Sequence, residues 1–513
     1  MIKRCASAIV VVLALAAAPA PIRAAPLASG QDASQQPTAA QLALVELIKA
    51  SDAARAAGDI ATSEARLQAA IAHPAFPELS APIRAQVLAM AARHAADRQD
   101  LPAAFALARR ATDTDPANFD HWQLRLLIAP HLGEHEDGAG SALQAYRLSP
   151  AKATEQHELI LQAVALAPFD SPARYELLQA LFAGVFELPS IGSPDTLWHE
   201  LALQHLARGD EANARTVAAR ITHPTVLATL LADRRFDAVR DPRIGTATLR
   251  ALAQQRVADL RSRASRDPTS LRVRRELASA LLVAGDHEGV IALANEVERS
   301  IAGNAGGGAA YRDIDPHLGG FIGLAGTAFE RLGRADDALA RYRRAAGSFQ
   351  SGNPDPAQAL NLAHKLVDTG RPQEARELLA PLEQSGLLNP YGRMILAHAR
   401  VRTAQALGDQ AGVDAAMAYL REHRDQASNV FVQALFDLGE MDAAAEAFIS
   451  RLDDPATRSD ALYATHVFPV VGALRADAQS ERERWQALLA REDVAAAIER
   501  HGRRLELPIY RTW

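Results

Sequence analysis

Hydrophobic and polar residues follow helical spacing in short segments along the chain, and Thr327–Ala346 (TAFERLGRADDALARYRRAA) shows the arrangement. A first amphipathic segment ends at Leu332, and Gly333 supplies a turn that tolerates positive φ. The second segment carries one apolar stripe at spacings of four and three residues, formed by Ala338, Tyr342 and Ala345. Because a pair this short buries too little apolar surface alone, the pattern predicts a helix-turn-helix unit with neighbours stacked on both sides.

The turn of this unit recurs along the chain. Equivalent dipeptides are Gly58-Asp59, Gly133-Glu134, Gly209-Asp210, Gly285-Asp286, Gly370-Arg371, Gly408-Asp409 and Gly439-Glu440. Gln99-Asp100 occupies the equivalent place without glycine, 34 residues before Gly133. Gly333 and Gly370 are 37 residues apart. Near-constant spacing of this length predicts an array of helix-turn-helix repeats.

The composition supports a helical chain. Hydrophobic residues make up 49% of the 513 residues but aromatics only 5%, so the apolar content is mostly Ala, Leu and Val. Alanine is the best helix former and lets helices pack closely, whereas runs of alternating β-branched residues, which would predict strands, are scarce. A chain of this length exceeds what one compact core serves. The sequence therefore predicts an all-α fold that grows by repetition.

The units resemble tetratricopeptide repeats. One of them has family-like residues at family-like spacing, namely Gly326, Phe329, Gly333, Ala338, Tyr342 and Ala345. Another contains Trp198, Leu201, Ala202, Gly209, Asp210 and Ala214. The resemblance covers roughly Gln41 to Leu452, and it implies an α-solenoid whose concave face is lined by first helices and holds an extended peptide or a partner helix. It further implies a scaffold or adaptor, in an envelope assembly or a polysaccharide-export system.

The N-terminus has the order of a secretory leader. Lys3 precedes the apolar run Ala8–Ala18, which is too short to span a bilayer, and a small-residue region follows that predicts cleavage before Ala25. We therefore expect a periplasmic protein with no transmembrane segment in the mature chain. The only cysteine, Cys5, lies inside the leader, so the mature chain would have no disulfide and no thiol nucleophile.

Six segments follow from these patterns. They are a signal peptide (1–24), a disordered linker (25–40), N-terminal repeats (41–300), a Gly-rich insertion (301–320), C-terminal repeats (321–470) and a helical cap with a tail (471–513). The insertion is either a partner-binding lip or a tolerated surface loop. The groups in it that could hold a partner are Tyr311, Arg312, Asp313 and Asp315.

The sequence predicts no catalytic residue, metal ligand or cofactor. His199 and His205 are six residues apart instead of the four that a zinc-protease helix needs. The segment Gly303–Gly308 lacks the Lys-Ser/Thr of a phosphate loop, and no Gly-x-Ser-x-Gly nucleophile motif occurs. The net charge is −6 with no basic stripe, which argues against nucleic-acid binding.

An all-α envelope enzyme acting on glycans stays open as the alternative. Periplasmic lytic transglycosylases can carry such a helical superhelix, but they use a catalytic Glu-Ser pair. This chain contains no Glu-Ser dipeptide.

Four residues are candidates for holding a partner in the groove. Arg272 and Arg275 lie beside the packing stripe of the predicted helix Leu271–Ala284, and Asn361 and His364 lie two units later. Some tetratricopeptide domains clamp a peptide carboxylate with Lys, Arg and Asn from successive first helices, and Arg275 and Asn361 resemble parts of that clamp. The same residues would also suit a solvated arginine pair and a surface asparagine.

Overall fold

The computed structural model describes residues 38–188, 192–303, 310–347, 355–384, 388–472 and 476–511. The predicted signal peptide, most of the predicted linker and Trp513 lie outside these residues. The chain forms two compact units, one ending at Phe186 and the other beginning at Glu187. The predicted segments place no boundary there.

Helices make up the regular structure of both units. In the first unit they are α1 Ala39–Ala56, α2 Ile60–Ala72, α3 Ala81–Asp97, α4 Leu101–Thr114, α5 Phe119–Ile128, α6 His135–Leu148, α7 Pro150–Glu155, α8 His157–Leu166 and α9 Pro172–Ala183. In the second unit they begin with α10 Asp195–Ala207, α11 Glu211–Ala218, α12 Pro224–Ala232, α13 Thr246–Arg266, α14 Leu271–Ala284, α15 His287–Gly303, α16 Ile314–Arg331, α17 Ala335–Ala346 and α18 Pro356–Asp368. They continue with α19 Pro372–Gln384, α20 Pro390–Leu407, α21 Gln410–Glu422, α22 Ser428–Asp437, α23 Met441–Asp453, α24 Arg458–Ala464, α25 Ala476–Leu489 and α26 Glu492–His501. Within the described residues β-pairing is limited to three isolated bridges, so the all-α prediction is confirmed.

The turns between paired helices have a common chemistry. Gly209 has φ +74° and ends α10, and the side chain of Asp210 then accepts a hydrogen bond from the Asn213 amide at 3.1 Å, which caps α11. Gln99 adopts φ +65° before Asp100 and so takes the same left-handed place without being glycine. The predicted equivalence of Gln99-Asp100 with the glycine turns is therefore confirmed.

The helix pairs of the second unit stack as a solenoid. The first helices α14, α16, α18, α20 and α22 contact one another in sequence, and the second helices α15, α17, α19, α21 and α23 pack against them. Small residues allow the close approach. A β-carbon at Gly326 would lie 2.8 Å from Tyr342 Cε1, and the Tyr342 side chain is 6% exposed. The predicted helix-turn-helix α-solenoid is thus confirmed.

The two ends of the second unit meet. Helix α12, near its start, packs against α24, near its end. Ala232 belongs to the apolar core that α20 to α26 share. The repeats between these helices therefore form a closed arc within this unit.

Most of the described residues of the predicted insertion are helical. Helix α15 extends to Gly303 and α16 begins at Ile314, so residues 301–303 and 314–320 are helical; residues 304–309 lie outside the described parts. The Asp313 carboxylate accepts hydrogen bonds from the backbone amides of Leu271 and Arg272, at 2.6 and 3.1 Å. Tyr311 is 3% exposed beneath the Arg274 guanidinium. These side chains fix the start of α14, which is a structural role.

The C-terminal segment covers the last repeats. Trp485 of α25 packs edge-on against Phe436 and Phe448, with ring centroids 5.3 and 5.6 Å apart. Val494 and Ile498 of α26 are buried against the same core. Beyond α26 the chain turns back along the unit.

Candidate functional site

The candidate site is the surface along which the first helices α14, α16, α18, α20 and α22 lie side by side. We call it the inner face. Side chains from one first helix reach the next across it, as Arg275 of α14 does toward His317 of α16. This face brings groups from distant parts of the sequence into one row.

Arg275, one of the predicted four, is half-buried and lies against the next first helix. Its Nη1 lies 3.4 Å from His317 Nδ1, and its side chain passes over Gly320 of the next helix. Within the described residues no carboxylate forms an ion pair with Arg275. Arg272, one turn earlier on α14, is half-buried, and its backbone amide is held by Asp313. The inner face therefore presents the Arg275 guanidinium at its α14 end.

Asn361 and His364 lie on α18, separated from the arginines by α16. Asn361 is exposed, and its amide lies 3.5 Å from Gln358 Oε1. Burial, followed by the neighbouring His398 and Arg402, lowers the pKa of His364 well below its usual value. His364 is therefore neutral and packs beside the His398 ring, with centroids 5.0 Å apart.

The two halves of the predicted clamp are not in mutual contact. In the described part of the chain, the polar contacts of Arg275 and Asn361 are with His317 and Gln358 respectively. Gln358 Oε1 instead approaches α16, where a β-carbon at Gly323 would lie 2.7 Å away. The structure thus places a polar row on the inner face, with the arginines at one end and the asparagine beyond α16.

A ladder of ion pairs links the other ends of the same helices. Lys365 binds Glu330 at 2.7 Å, and Arg402 binds Asp368 at 2.7 Å and Asp437 at 3.4 Å. Burial raises the pKa of Asp437, but the His398 hydrogen bond and the Arg402 charge outweigh it, so the pKa is lowered overall. Each charge of the ladder is matched on a neighbouring helix. The ladder therefore sets the register of the first helices.

Sequence reasoning missed this ladder, although a signal for it exists. Asp368 and Asp437 each stand two residues before a turn glycine, Gly370 and Gly439. Equal offsets from a repeated turn place both carboxylates at the same level of successive repeats. Their cationic partner, Arg402, is found only once α20 is placed between them.

Residues 502–511 form a non-helical segment, which we call the C-terminal tail. It lies over the carboxyl ends of α14 and α16. The Tyr510 amide donates to the Val283 carbonyl at 2.9 Å, and the Arg331 guanidinium donates to the Arg511 carbonyl. The tail thus covers the end of the inner face opposite Arg275.

Metal binding and membrane insertion are two further possibilities for the described residues. No group of three or more His, Cys, Asp or Glu side chains there is arranged to hold a metal ion. None of the helices in the described ranges is both long enough and apolar enough to cross a bilayer.

Comparison with known proteins gives structural likenesses only. No protein-family model matches the chain, and no curated protein matches it. The Cut9-Hcn1 hetero-tetramer of APC/C is similar at 13% identity and a TM-score of 0.29, covering 89% of this chain and 96% of that chain. The Naa15/Naa10 complex bound to HypK-THB is similar at 14% identity and a TM-score of 0.23, covering 79% and 68%. The TPR domain of P58(IPK) is similar at 12% and 0.20, covering 78% and 99%.

At these scores the likenesses carry no conclusion about partners or activity. The tetratricopeptide-like character is carried by the helix pairs themselves, with their left-handed turn glycines and their stacked first helices. The resemblance to tetratricopeptide repeats that the sequence predicts is therefore confirmed for the fold of the repeats.

Proposed function

We propose that this protein is an exported, periplasmic binding scaffold and that its second unit holds an acidic or carboxylate-terminated peptide on the inner face. The observation that carries the proposal is the Arg275 guanidinium. It lies on the face where first helices meet, and its contact there is a histidine ring instead of a carboxylate. A ligand carboxylate would give this cation the charge-assisted hydrogen bonds that the described chain does not.

The neighbouring groups suit the same ligand. Arg272 adds a second positive charge one turn away, and Asn361 offers an exposed amide farther along the polar row. By contrast, the inner-face carboxylates form ion pairs with basic side chains. Glu330 pairs with Lys365, and Asp368 and Asp437 pair with Arg402. This pairing leaves Arg275, whose contact is a histidine ring, as the group of this face that favours an anion, and it gives no support to glycan hydrolysis.

The proposal is tested with a fluorescent peptide rich in Asp and Glu that ends in a free carboxylate. Its affinity is measured for the unchanged protein and for Arg272→Ala/Arg275→Ala. Each charge-assisted bond is worth roughly 1.5–3 kcal/mol, so we expect the double variant to bind at least about tenfold more weakly. The amidated peptide should show a smaller loss.

The control must be an arginine on a second helix. Arg341 is unsuitable because it pairs with Glu298 and its side chain is only 18% exposed. Arg376 of α19 is exposed and donates to Gln373 Oε1 at 2.6 Å, and Arg376→Ala is the matched control. Equal affinity for all three proteins would remove the inner face as the binding site.

A further inference from the structure

The C-terminal tail is bound to the second unit in the manner of a peptide ligand. Its backbone is non-helical, with a bend at Pro508 and Ile509, and it makes hydrogen bonds at both ends and in the middle. The Arg503 amide donates to the Ala232 carbonyl, the Leu507 amide to Val467 and the Tyr510 amide to Val283, all at 2.9 Å. Backbone bonds of this kind would hold any extended peptide, whatever its side chains.

The side chains of the tail add specificity. Leu507 is 4% exposed and Ile509 is 1% exposed, so two apolar residues at alternate positions are buried. Tyr510 lies on the turn between α14 and α15, where a β-carbon at Gly285 would lie 2.5 Å from Tyr510 Cε2. Gly285 also has φ +86°, so the turn and the ring contact both require glycine here.

The tail satisfies the polar groups beneath its last residues incompletely. His287 is 3% exposed, and within the described residues neither of its ring nitrogens has a hydrogen-bond partner. Arg331 donates from Nη2 to the Arg511 carbonyl, but its buried Nη1 has no acceptor among the described residues. Buried polar groups are normally hydrogen-bonded, and leaving them unpaired is unfavourable. Residues 502–511 of the tail therefore leave His287 and the Arg331 Nη1 without an acceptor or donor, although Arg511 itself donates to the Ala464 carbonyl at 3.3 Å.

The charges around the last described tail residue also favour an acidic ligand. The side chain of Arg511 is itself cationic and lies over the Phe468 ring, 4.5 Å from its centroid. Burial and the Arg331 charge lower the pKa of His287 to about 4, so this ring is neutral. A carboxylate at the position of the Arg511 carbonyl would offer two acceptor oxygens to Arg331 instead of one.

We propose that the strip formed by the Val283 carbonyl, Gly285, His287 and Arg331 is a docking site for an extended peptide, and that the C-terminal tail occupies it in cis. The partner segment carries apolar residues at alternate positions, then an aromatic residue, then an acidic residue or a C-terminal carboxylate. Such a segment displaces the tail because it supplies Arg331 Nη1 with the acceptor that residues 502–511 do not supply. The inference rests on the proposed binding role of the second unit, but it concerns a different set of residues.

The test uses the full chain and two labelled peptides. One has the tail sequence Leu505 to Arg511, and the other has aspartate in place of its final arginine. Fluorescence anisotropy gives the affinity of each for the unchanged protein and for Tyr510→Ala, in which the resident tail loses its ring contact. We expect both peptides to bind Tyr510→Ala at least about tenfold more tightly than the unchanged protein, and the aspartate peptide to bind more tightly than the arginine peptide.

The variants also give the outcomes that overturn the proposal. Tyr510→Ala/Arg331→Ala should lose the preference for the aspartate peptide, whereas Tyr510→Ala/Arg376→Ala should keep it. Equal binding to the unchanged protein and Tyr510→Ala, with unchanged circular dichroism, would refute the docking site. So would a preference that survives removal of Arg331.

Hydrogen exchange covers the case in which Tyr510→Ala fails to fold. In the unchanged protein, excess aspartate peptide should speed exchange of the Leu507 and Tyr510 amides while the amide of Leu281 in α14 stays protected. Tail exchange that the peptide does not alter would overturn the proposal. This result is independent of Arg272 and Arg275, so it can fail while the proposed function holds, and the reverse.

Discussion

Replacing Asp233 by asparagine should loosen the closure of the second unit. Asp233 is fully buried between the two ends of this unit. Arg235 donates to its carboxylate from Nη2 at 2.6 Å, and Ser459, 226 positions away in sequence, donates at 2.8 Å. The Arg235 guanidinium also reaches the Pro455 carbonyl at 3.0 Å. One carboxylate therefore joins the segment after α12 to the start of α24.

The expected loss of stability on Asp233→Asn follows from the burial of the Asp233–Arg235 ion pair. Removing one partner of a buried ion pair costs about 3–5 kcal/mol because it leaves an uncompensated charge. The Arg235 side chain is still 20% exposed and keeps the Pro455 carbonyl, so we expect the lower end, about 3 kcal/mol. That corresponds to a fall of about 100-fold in the protection of amides that open with this contact.

The chain contains a matched control a few residues later. Asp241 and Arg243 form the same Asp-x-Arg arrangement, with the Arg243 amide and Nε both donating to Asp241 Oδ1, but the arginine is 88% exposed. Asp241→Asn removes the same charge and the same local hydrogen bonds at the surface. We expect no measurable change in protection or in the urea midpoint, because exposed ion pairs contribute little.

The effect should depend on pH with a defined sign. Burial raises the pKa of Asp233, but the hydrogen bonds and charge of Arg235 outweigh it, so the folded-state pKa is lowered. A carboxylate with a lowered folded-state pKa stabilises the fold at pH values above its unfolded-state pKa of about 4. This stabilisation is lost as the pH falls through the folded-state pKa. The difference between the unchanged protein and Asp233→Asn should therefore be largest near neutral pH and shrink below about pH 4.

Hydrogen exchange with mass spectrometry measures the opening directly, in the peptides that contain α12 and α24. The amide of Arg503, bonded to the Ala232 carbonyl, reports the same contact from the tail. Unchanged protection in Asp233→Asn, or an equal loss in Asp241→Asn, would refute the reasoning.

Three further predictions follow from the turns, the packing and the leader. Gly333→Val should lower the free energy of unfolding by about 1–3 kcal/mol, because φ is +74° there and no neighbouring atom would offset the strain; an unchanged melting temperature would contradict this. Gly326→Ala should lower the melting temperature because the added methyl group clashes with the Tyr342 ring, and adding Tyr342→Leu should relieve that clash. A Gly326→Ala protein that is more stable than the unchanged protein would contradict this packing. N-terminal mass spectrometry of exported protein should find Ala25 first, and an intact Met1 would contradict the predicted cleavage.

Much of the fold could be predicted because its causes are local. The positions of Gly209 and Asp210, and even of Gln99 in a glycine's place, specify a left-handed turn followed by a helix cap. The apolar stripe Ala338, Tyr342 and Ala345 specifies which face of α17 is buried. These features depend on residues only a few positions apart, so helical periodicity and turn chemistry suffice.

The candidate site was predicted less completely, because its groups pair across helices. His364 was expected to face a partner, yet its pKa and its ring contact depend on His398 and Arg402 of the next repeat. The insertion was expected to be a partner-binding lip or a surface loop, but Asp313 accepts hydrogen bonds from the first amides of α14. Neither contact has a fixed sequence spacing, so no local pattern reports it.

The sequence by itself determined the repeating helix pairs, their turns and the choice of inner-face residues such as Arg275. Only the tertiary structure decided that the second unit closes through Asp233 and Ser459, and that its own tail lies on Gly285 and Arg331. The reason is physical. A helix pair is selected by interactions within one repeat, whereas closure depends on the curvature that many small packing angles accumulate, and that sum brings together residues more than 200 positions apart.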